Sequence, residues 1–256
     1  MFIKKNNKRI ISITTTTTLL AAGFIIGIGG WFGGGASIPA DTFSRGLVAY
    51  YSFDEGSGEV AYDASNYQNH GTWSGTGSHW ATGKIGTAGQ FNGVDDYVEA
   101  ADSASLRITG DITIEAWVYA ESFSDYRTVV QKAIAGGVPA PYQLFLELTS
   151  GSILLYRGNG TEDSIIIGGA IPLNMWTHII ATMKDTTVKI YQDSVLRKTD
   201  TLLTMIADGG QPLKIGRSIT NHYPFYGLIS EVLIYNRALT PQEILDHYII
   251  GKEMFG

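Results

Sequence analysis

GLVAYYSFDEGSGEVAYDASNYQNHGTW, residues 46–73, and GKIGTAGQFNGVDDYVEA, residues 83–100, decide the fold. Between them they pack short aromatic strands, glycine-rich turns and an acidic, asparagine-rich loop into one unit. A distant counterpart, FYGLISEVLIYNRALTPQEI at 225–244, has the same aromatic strand character and ends in a helix start. Two such segments at opposite ends of the chain predict one β domain whose ends meet.

Working outward, strand signals recur at short intervals. They cover Leu47–Phe53, Gln90–Phe91, Tyr97–Ala100, Asp111–Ala120, Arg127–Lys132, Tyr142–Leu148, Ser152–Arg157, Ser164–Gly168, Trp176–Lys184, Thr187–Gln192, Leu213–Gly216 and Leu228–Tyr235. Many alternate with period 2. Ile112, Ile114, Ala116 and Val118 fall on one face of their strand, with Thr113, Glu115, Trp117 and Tyr119 on the other. That second face, also aromatic, either lines a concave surface or packs a further layer. Turn chemistry separates the runs at Asn92-Gly93, Ser150-Gly151, Gly158-Asn159-Gly160 and Gly209-Gly210. The expectation is an all-β, two-sheet antiparallel sandwich. One helix belongs to this body. Thr240-Pro241-Gln242-Glu243 forms a capping box with Leu239 and Ile244 at the staple positions, and the helix runs to about Tyr248.

The N-terminus is of another kind. Lys4, Lys5, Lys8 and Arg9 precede a stretch, 10–40, that holds no charge. Its core, IISITTTTTLLAAGFIIGIGGWF, occupies 10–32. As a helix at about 1.5 Å per residue it would cross a hydrocarbon layer of roughly 30 Å. The positive flank would stay inside and send the body out. Residues 1–32 therefore read as an N-terminal hydrophobic helix, either a signal-anchor or a signal peptide cleaved after Ala36 or Ala40. Residues 33–45 read as a Gly-rich tether, and 46–256 as the β domain. Export follows in both cases, membrane-anchored or secreted.

Charge narrows the partners. Of 18 Lys and Arg, four sit in that N-terminal cluster, leaving 14 in the body against 24 Asp and Glu. An acidic body with no basic stripe argues against nucleic acid. The absence of cysteine excludes disulfides, thiol nucleophiles and Cys-ligated zinc.

The body resembles the laminin-G-like, concanavalin-A-like jelly-roll family. The resemblance rests on YSFDEGSGEVAYDASNYQNHGT, FNGVDDYVEA, ITIEAWVYAE, WTHIIATMKDTTVKIYQDSVL and FYGLISEVLIYNRALTPQEI in this order, and it covers about 46–250. It implies a jelly roll and non-catalytic recognition of a glycan or surface protein in adhesion or envelope interaction. An assembly or spacer domain of a surface structure is the alternative, and a glycoside hydrolase a remoter one. The chain departs from the family twice. The hairpin turn usually reads Asp-Gly but here is Asp193-Ser194, which suggests a longer turn or another type. The closing strand carries Ser230 where Asp is usual.

Three chemistries are open to these residues. Asp54, Glu55, Asp63, Asn66 and Asn69 offer the hard oxygens calcium takes, and the same residues are also turn-makers that bond their own backbone. The resemblance implies a structural calcium in some members, tying that loop to the closing strand. With Ser230 in place of Asp, the neighbouring Glu231 is the remaining acidic candidate. For sugar stacking the loop aromatics Trp73, Trp80, Tyr126, Tyr142, Tyr223 and Tyr226 are candidates, with Asn159, Glu162, Asp163 and Asn221 as polar neighbours. Hydrolysis needs two carboxylates across a scissile bond, and no strand carries alternating acids. Glu115 stands alone, and Glu147 lies between Leu146 and Leu148. The histidines 70, 79, 178, 222 and 247 lack zinc spacing.

Overall fold

The computed structural model describes residues 43–84, 86–132, 141–158, 163–202 and 210–253. The hydrophobic N-terminal segment and most of the tether lie outside the described residues, as do Asn159 and Glu162.

Two eight-stranded antiparallel sheets face each other. The first runs β14 (Val195–Thr201), β13 (Thr187–Gln192), β12 (Trp176–Lys184), β7 (Ile112–Ala120), β16 (Tyr226–Tyr235), β5 (Thr87–Asn92) and β4 (Trp80–Thr82). Its eighth strand, β1 (Leu47–Tyr51), pairs with the later half of β16, while β5 takes the earlier half. The second sheet runs β11 (Asp163–Ala170), β10 (Ser152–Gly158), β9 (Tyr142–Leu146), β8 (Arg127–Lys132), β15 (Leu213–Ile215), β6 (Tyr97–Ala100), β3 (Gly71–Ser74) and β2 (Val60–Ala61). The opening and closing segments do meet, since β1 lies beside β16. Four short or polar strands, β2, β3, β4 and β14, escape the periodicity reading. Three of them are too short to show alternation, and β14 (VLRKTDT) is an exposed edge strand with little apolar signal.

The core fills the space between the sheets. Ile112, Ile114, Ala116 and Val118 point inward, as their alternation requires, and meet Leu144, Leu146, Ile153 and Leu155 of the other sheet. The Ile, Leu and Val side chains among them each contribute about 1.5–3 kcal/mol when fully buried.

The second face of β7 divides in two. Its Glu115 and Trp117 are buried beneath helix α1 (Pro241–Glu253). The cap forms as the sequence predicts: Glu243 N donates to Thr240 Oγ1 at 3.2 Å, and Thr240 N to Glu243 Oε2 at 2.7 Å. Leu239 and Ile244 join one apolar cluster under the helix. The helix outlasts its expected end at Tyr248 because its last turns pack. Gly251 lies so close to the sheet that a Cβ there would sit 2.7 Å from Trp117 Nε1. Tyr248 stacks on Trp117 at 5.9 Å between ring centroids. Beyond the helix, Tyr119 is left half-buried and open to solvent on that face.

The hairpin at Asp193-Ser194 corrects an expectation. It is neither longer nor of another type: Gln192 pairs directly with Val195, and both turn residues take positive φ, 50° and 62°. That is the geometry of a tight primed turn, reached without glycine. The Asp193 carboxylate accepts the backbone N–H of His178 at 3.0 Å, which anchors the turn to β12.

Candidate functional site

The open half of the first sheet's outer face carries an aromatic strip. Cross-strand pairing places Trp176 opposite Tyr119, Tyr119 opposite Leu228, and Leu228 opposite Gln90. These four lie in one row over β12, β7, β16 and β5, and all are half-buried. Three strand spacings of about 4.8 Å make the row roughly 14 Å long. The Trp176 and Tyr119 rings stand 5.8 Å apart at 55°. In the next row Tyr226 faces Asn92 and is 40% exposed.

At the β5 end the strip runs into a cleft of about 380 Å³ lined by Ser78, Gln90, Asn92, Asp96, Glu121 and Tyr226. Its floor depends on Gly93, whose φ is +73°, and a Cβ there would fall 2.8 Å from the Cβ of Tyr226. Several polar groups of this cleft are committed to building it. Asp96 accepts N–H groups from Gly77 (2.9 Å) and Asn92 (3.0 Å). Asn92 Oδ1 accepts N–H groups from Val94, Asp95 and Asp96. Gln90 Oε1 accepts the Ser78 hydroxyl at 2.6 Å. The Gln90 amide nitrogen, the Glu121 carboxylate and the Tyr226 hydroxyl have no side-chain partner among the described residues. An aromatic row ending in free amide, carboxylate and hydroxyl groups suits a ligand with both apolar ring faces and hydroxyls.

The six aromatics singled out from the sequence separate. Tyr226 lines the cleft. Tyr223 and Tyr126 form an edge-to-face pair at 5.4 Å, at the same end of the sandwich but over the second sheet, where Tyr126 continues into Phe145. Trp80 is half-buried and packs on Phe53 and Trp73, its Nε1 donating to Gly58 O. Trp73 and Tyr142 are core residues, 4% and 0% exposed, and Tyr142 donates to Leu106 O. Neither of these two can present a face to a ligand. Asn221 lies in the loop before β16 with φ +61°. Trp176, Tyr119, Gln90, Ser78 and Glu121 are absent from the sequence-derived set. The visible signal for Tyr119 is its place on the aromatic face of β7, and for Trp176 the register that sets it opposite.

The calcium candidates also separate. Asp63 Oδ1 accepts the N–H groups of Tyr50 and Ser65, both at 2.8 Å, and Oδ2 accepts the Ser65 hydroxyl (2.8 Å) and Asn69 N (2.7 Å). Asn69 is spent on Val48 O, Ser103 and Ser105. Asn66 is exposed. Asp54 accepts Thr87 N at 2.9 Å. Glu231 occupies a bulge in β16 at φ +51° and accepts the Tyr50 hydroxyl at 2.5 Å. Burial, with Asp54 and Glu115 nearby, raises the Glu231 carboxyl to about 8 against the pull of that hydrogen bond. Ser230 is buried and donates to Ser52 O. With both Asp63 oxygens already carrying two protein donors each and Asn69 spent on its neighbours, this loop fits calcium poorly. Among the described residues no three His, Asp or Glu side chains are grouped to hold a metal.

The family model described as the concanavalin A-like lectin/glucanases superfamily, laminin-G type, matches residues 92–245. The chain belongs to that family. A comparison with curated proteins finds no match. Among solved structures, domain 4 of AbnA, a GH43 extracellular arabinanase from Geobacillus stearothermophilus in complex with arabinotriose, is 26% identical. That match covers 79% of this chain and 98% of the domain, with a TM-score of 0.64. The receptor-binding domain of botulinum neurotoxin type G is 17% identical over 80% of this chain and 51% of its own, TM-score 0.59. A Trypanosoma rangeli sialidase is 16% identical over 84% and 34%, TM-score 0.62. The last two share the fold. The jelly roll of this family is thus a lectin-like sandwich, in line with the resemblance carried by its motifs.

Proposed function

We propose that the chain is a non-catalytic glycan-binding module, exported and displayed at a surface. The observation that carries this reading is the strip from Trp176 through Tyr119 and Leu228 to Gln90, with Tyr226 beside it. A row about 14 Å long is wider than one sugar ring and favours a short chain over a single terminal residue. The domain bound to arabinotriose supports a neutral oligosaccharide as the first ligand class to test.

Two further features favour binding over hydrolysis and display over burial. Glu121 is the one uncommitted carboxylate lining the cleft among the described residues, whereas glycoside hydrolysis uses a pair. The strip begins at the Tyr226 end of β16, and the chain enters at the Tyr235 end, where Tyr235 Oη donates to Phe43 O at 3.2 Å. Ten residues of β16 separate the two ends by roughly 30 Å. A body tethered through its N-terminal segment would hold the strip outward.

The test is the full chain against a panel of immobilised neutral oligosaccharides, with Trp176→Ala and Tyr119→Ala beside it. Retention of at least one glycan weakened in both variants supports the reading. No retention of any glycan by the unaltered chain removes it, and oligomers or filaments of a sugar-indifferent chain would favour an assembly role.

A further inference from the structure

At the opposite end of the sandwich lies a larger cleft, about 460 Å³, between the loop carrying Tyr67 and the segment 104–111. Asn236, just past β16, closes one side. Its walls are fixed with unusual thoroughness for surface loops. The four hydrogen bonds to the Asp63 carboxylate clamp the Tyr67 loop, and Tyr67 N itself donates to Ser65 Oγ at 3.2 Å. Asn69 bridges that loop to the facing wall through Ser103 and Ser105. The far wall is held from within by Arg157, fully buried, whose guanidinium donates to Ile108 O and Gly110 O, each at 2.9 Å.

On this rigid frame Tyr67 is left 53% exposed. The Tyr67 hydroxyl, the Thr109 hydroxyl and the Asn236 carboxamide have no partner among the described residues. The charges present are already engaged: Arg107 pairs with Asp102, and Asp111 accepts Asp185 N at 2.7 Å and interacts electrostatically with the buried Arg157 guanidinium. An aromatic face beside free hydroxyl and amide groups, with no uncompensated charge, selects a neutral polyhydroxylated ligand. Ordering the loops in advance removes much of the entropic cost of holding it.

The geometry points to a second saccharide-binding cleft here, separate from the aromatic strip and at the other end of β16. The acidic, asparagine-rich loop then serves to present Tyr67. Two sites roughly 30 Å apart, one held outward and one at the tethered end, let one body link a glycan beyond its surface to a glycan beside its own anchor.

The test uses the full chain in detergent, titrated calorimetrically with arabinotriose, cellotriose, maltotriose and galactotriose. Four proteins are compared: unaltered, Tyr67→Ala, Tyr226→Ala and the double variant. The expected result is at least one trisaccharide that still binds Tyr226→Ala and binds Tyr67→Ala tenfold or more weakly, with Asn236→Leu repeating the loss. An unchanged melting temperature in Tyr67→Ala shows that the loss is local, as an exposed side chain requires. If every trisaccharide bound by the unaltered chain binds Tyr67→Ala equally well, the second cleft is overturned while the strip stands. If none binds the unaltered chain, both fall.

Discussion

Glu115 on β7 reaches His247 on α1, Oε2 to Nδ1 at 2.7 Å, and its other oxygen lies 2.7 Å from His178 Nε2 on β12. All three residues are buried. Phe43, at the entrance to the domain, stacks on the His247 ring at 4.3 Å. One carboxylate thus ties the central strand, its neighbour, the closing helix and the arriving chain together.

Burial alone would raise the Glu115 carboxyl, but His247 and His178 outweigh it and hold it at about 2, against an ordinary 4.5. A depressed carboxylate contributes stability in full above about pH 4.5 and loses it as pH falls towards 2. Melting temperature should therefore drop between those values, and Glu115→Gln should flatten the drop. Glu115→Ala leaves two buried imidazole nitrogens without their partner, at about 1–3 kcal/mol each, so it should be strongly destabilised at pH 7 in urea denaturation.

Glu231 works in the opposite sense. With its folded-state carboxyl raised to about 8, the native state keeps a proton that the unfolded chain releases near 4.5. Stability from this group is complete below about pH 4.5 and declines as pH rises to about 8. Glu231→Gln keeps a hydrogen-bonding oxygen for Tyr50 and has no charge to bury. Melting curves from pH 5 to 9 should show the variant gaining on the unaltered chain as pH rises; parallel curves would contradict this.

Ser194 holds φ +62° without being asparagine, aspartate or glycine. A left-handed residue of this type costs on the order of 1 kcal/mol or more, less the entropy glycine would add to the unfolded chain. Ser194→Gly is expected to stabilise by up to about 1 kcal/mol, read from the urea midpoint.

Calcium should leave the melting temperature where it is. The oxygens of Asp63 are occupied by protein donors, and Asn69 is spent on Val48 O, Ser103 and Ser105. Identical melts in calcium and in chelator are predicted. A rise with calcium would bring Asp54 and Glu231 back as ligands.

Much of the fold was legible because long strands alternate. The inward set on β7 and the capping box at Thr240 both follow from local pattern. The site was less so, because loop position and aromatic character do not reveal burial. Tyr142 and Trp73 follow turn-rich segments yet point between the sheets. Trp176 and Tyr119 sit inside regular strands and become a surface only because α1 stops short of them. The Asp63 loop shows the same limit: oxygen-rich spacing suits an ion and a self-bonded turn equally, and only the placement of Ser65, Asn69 and Tyr50 N–H groups decides which donors arrive.

The most direct measurement is the dissociation constant for the best-bound neutral trisaccharide in the Tyr67→Ala background, where the strip is left as the binding surface, compared with the same chain carrying Trp176→Ala. The account predicts tenfold or greater weakening, about 1.4 kcal/mol, with the melting temperature preserved. Unchanged affinity in Trp176→Ala would contradict the assignment of the aromatic strip as the glycan-binding surface.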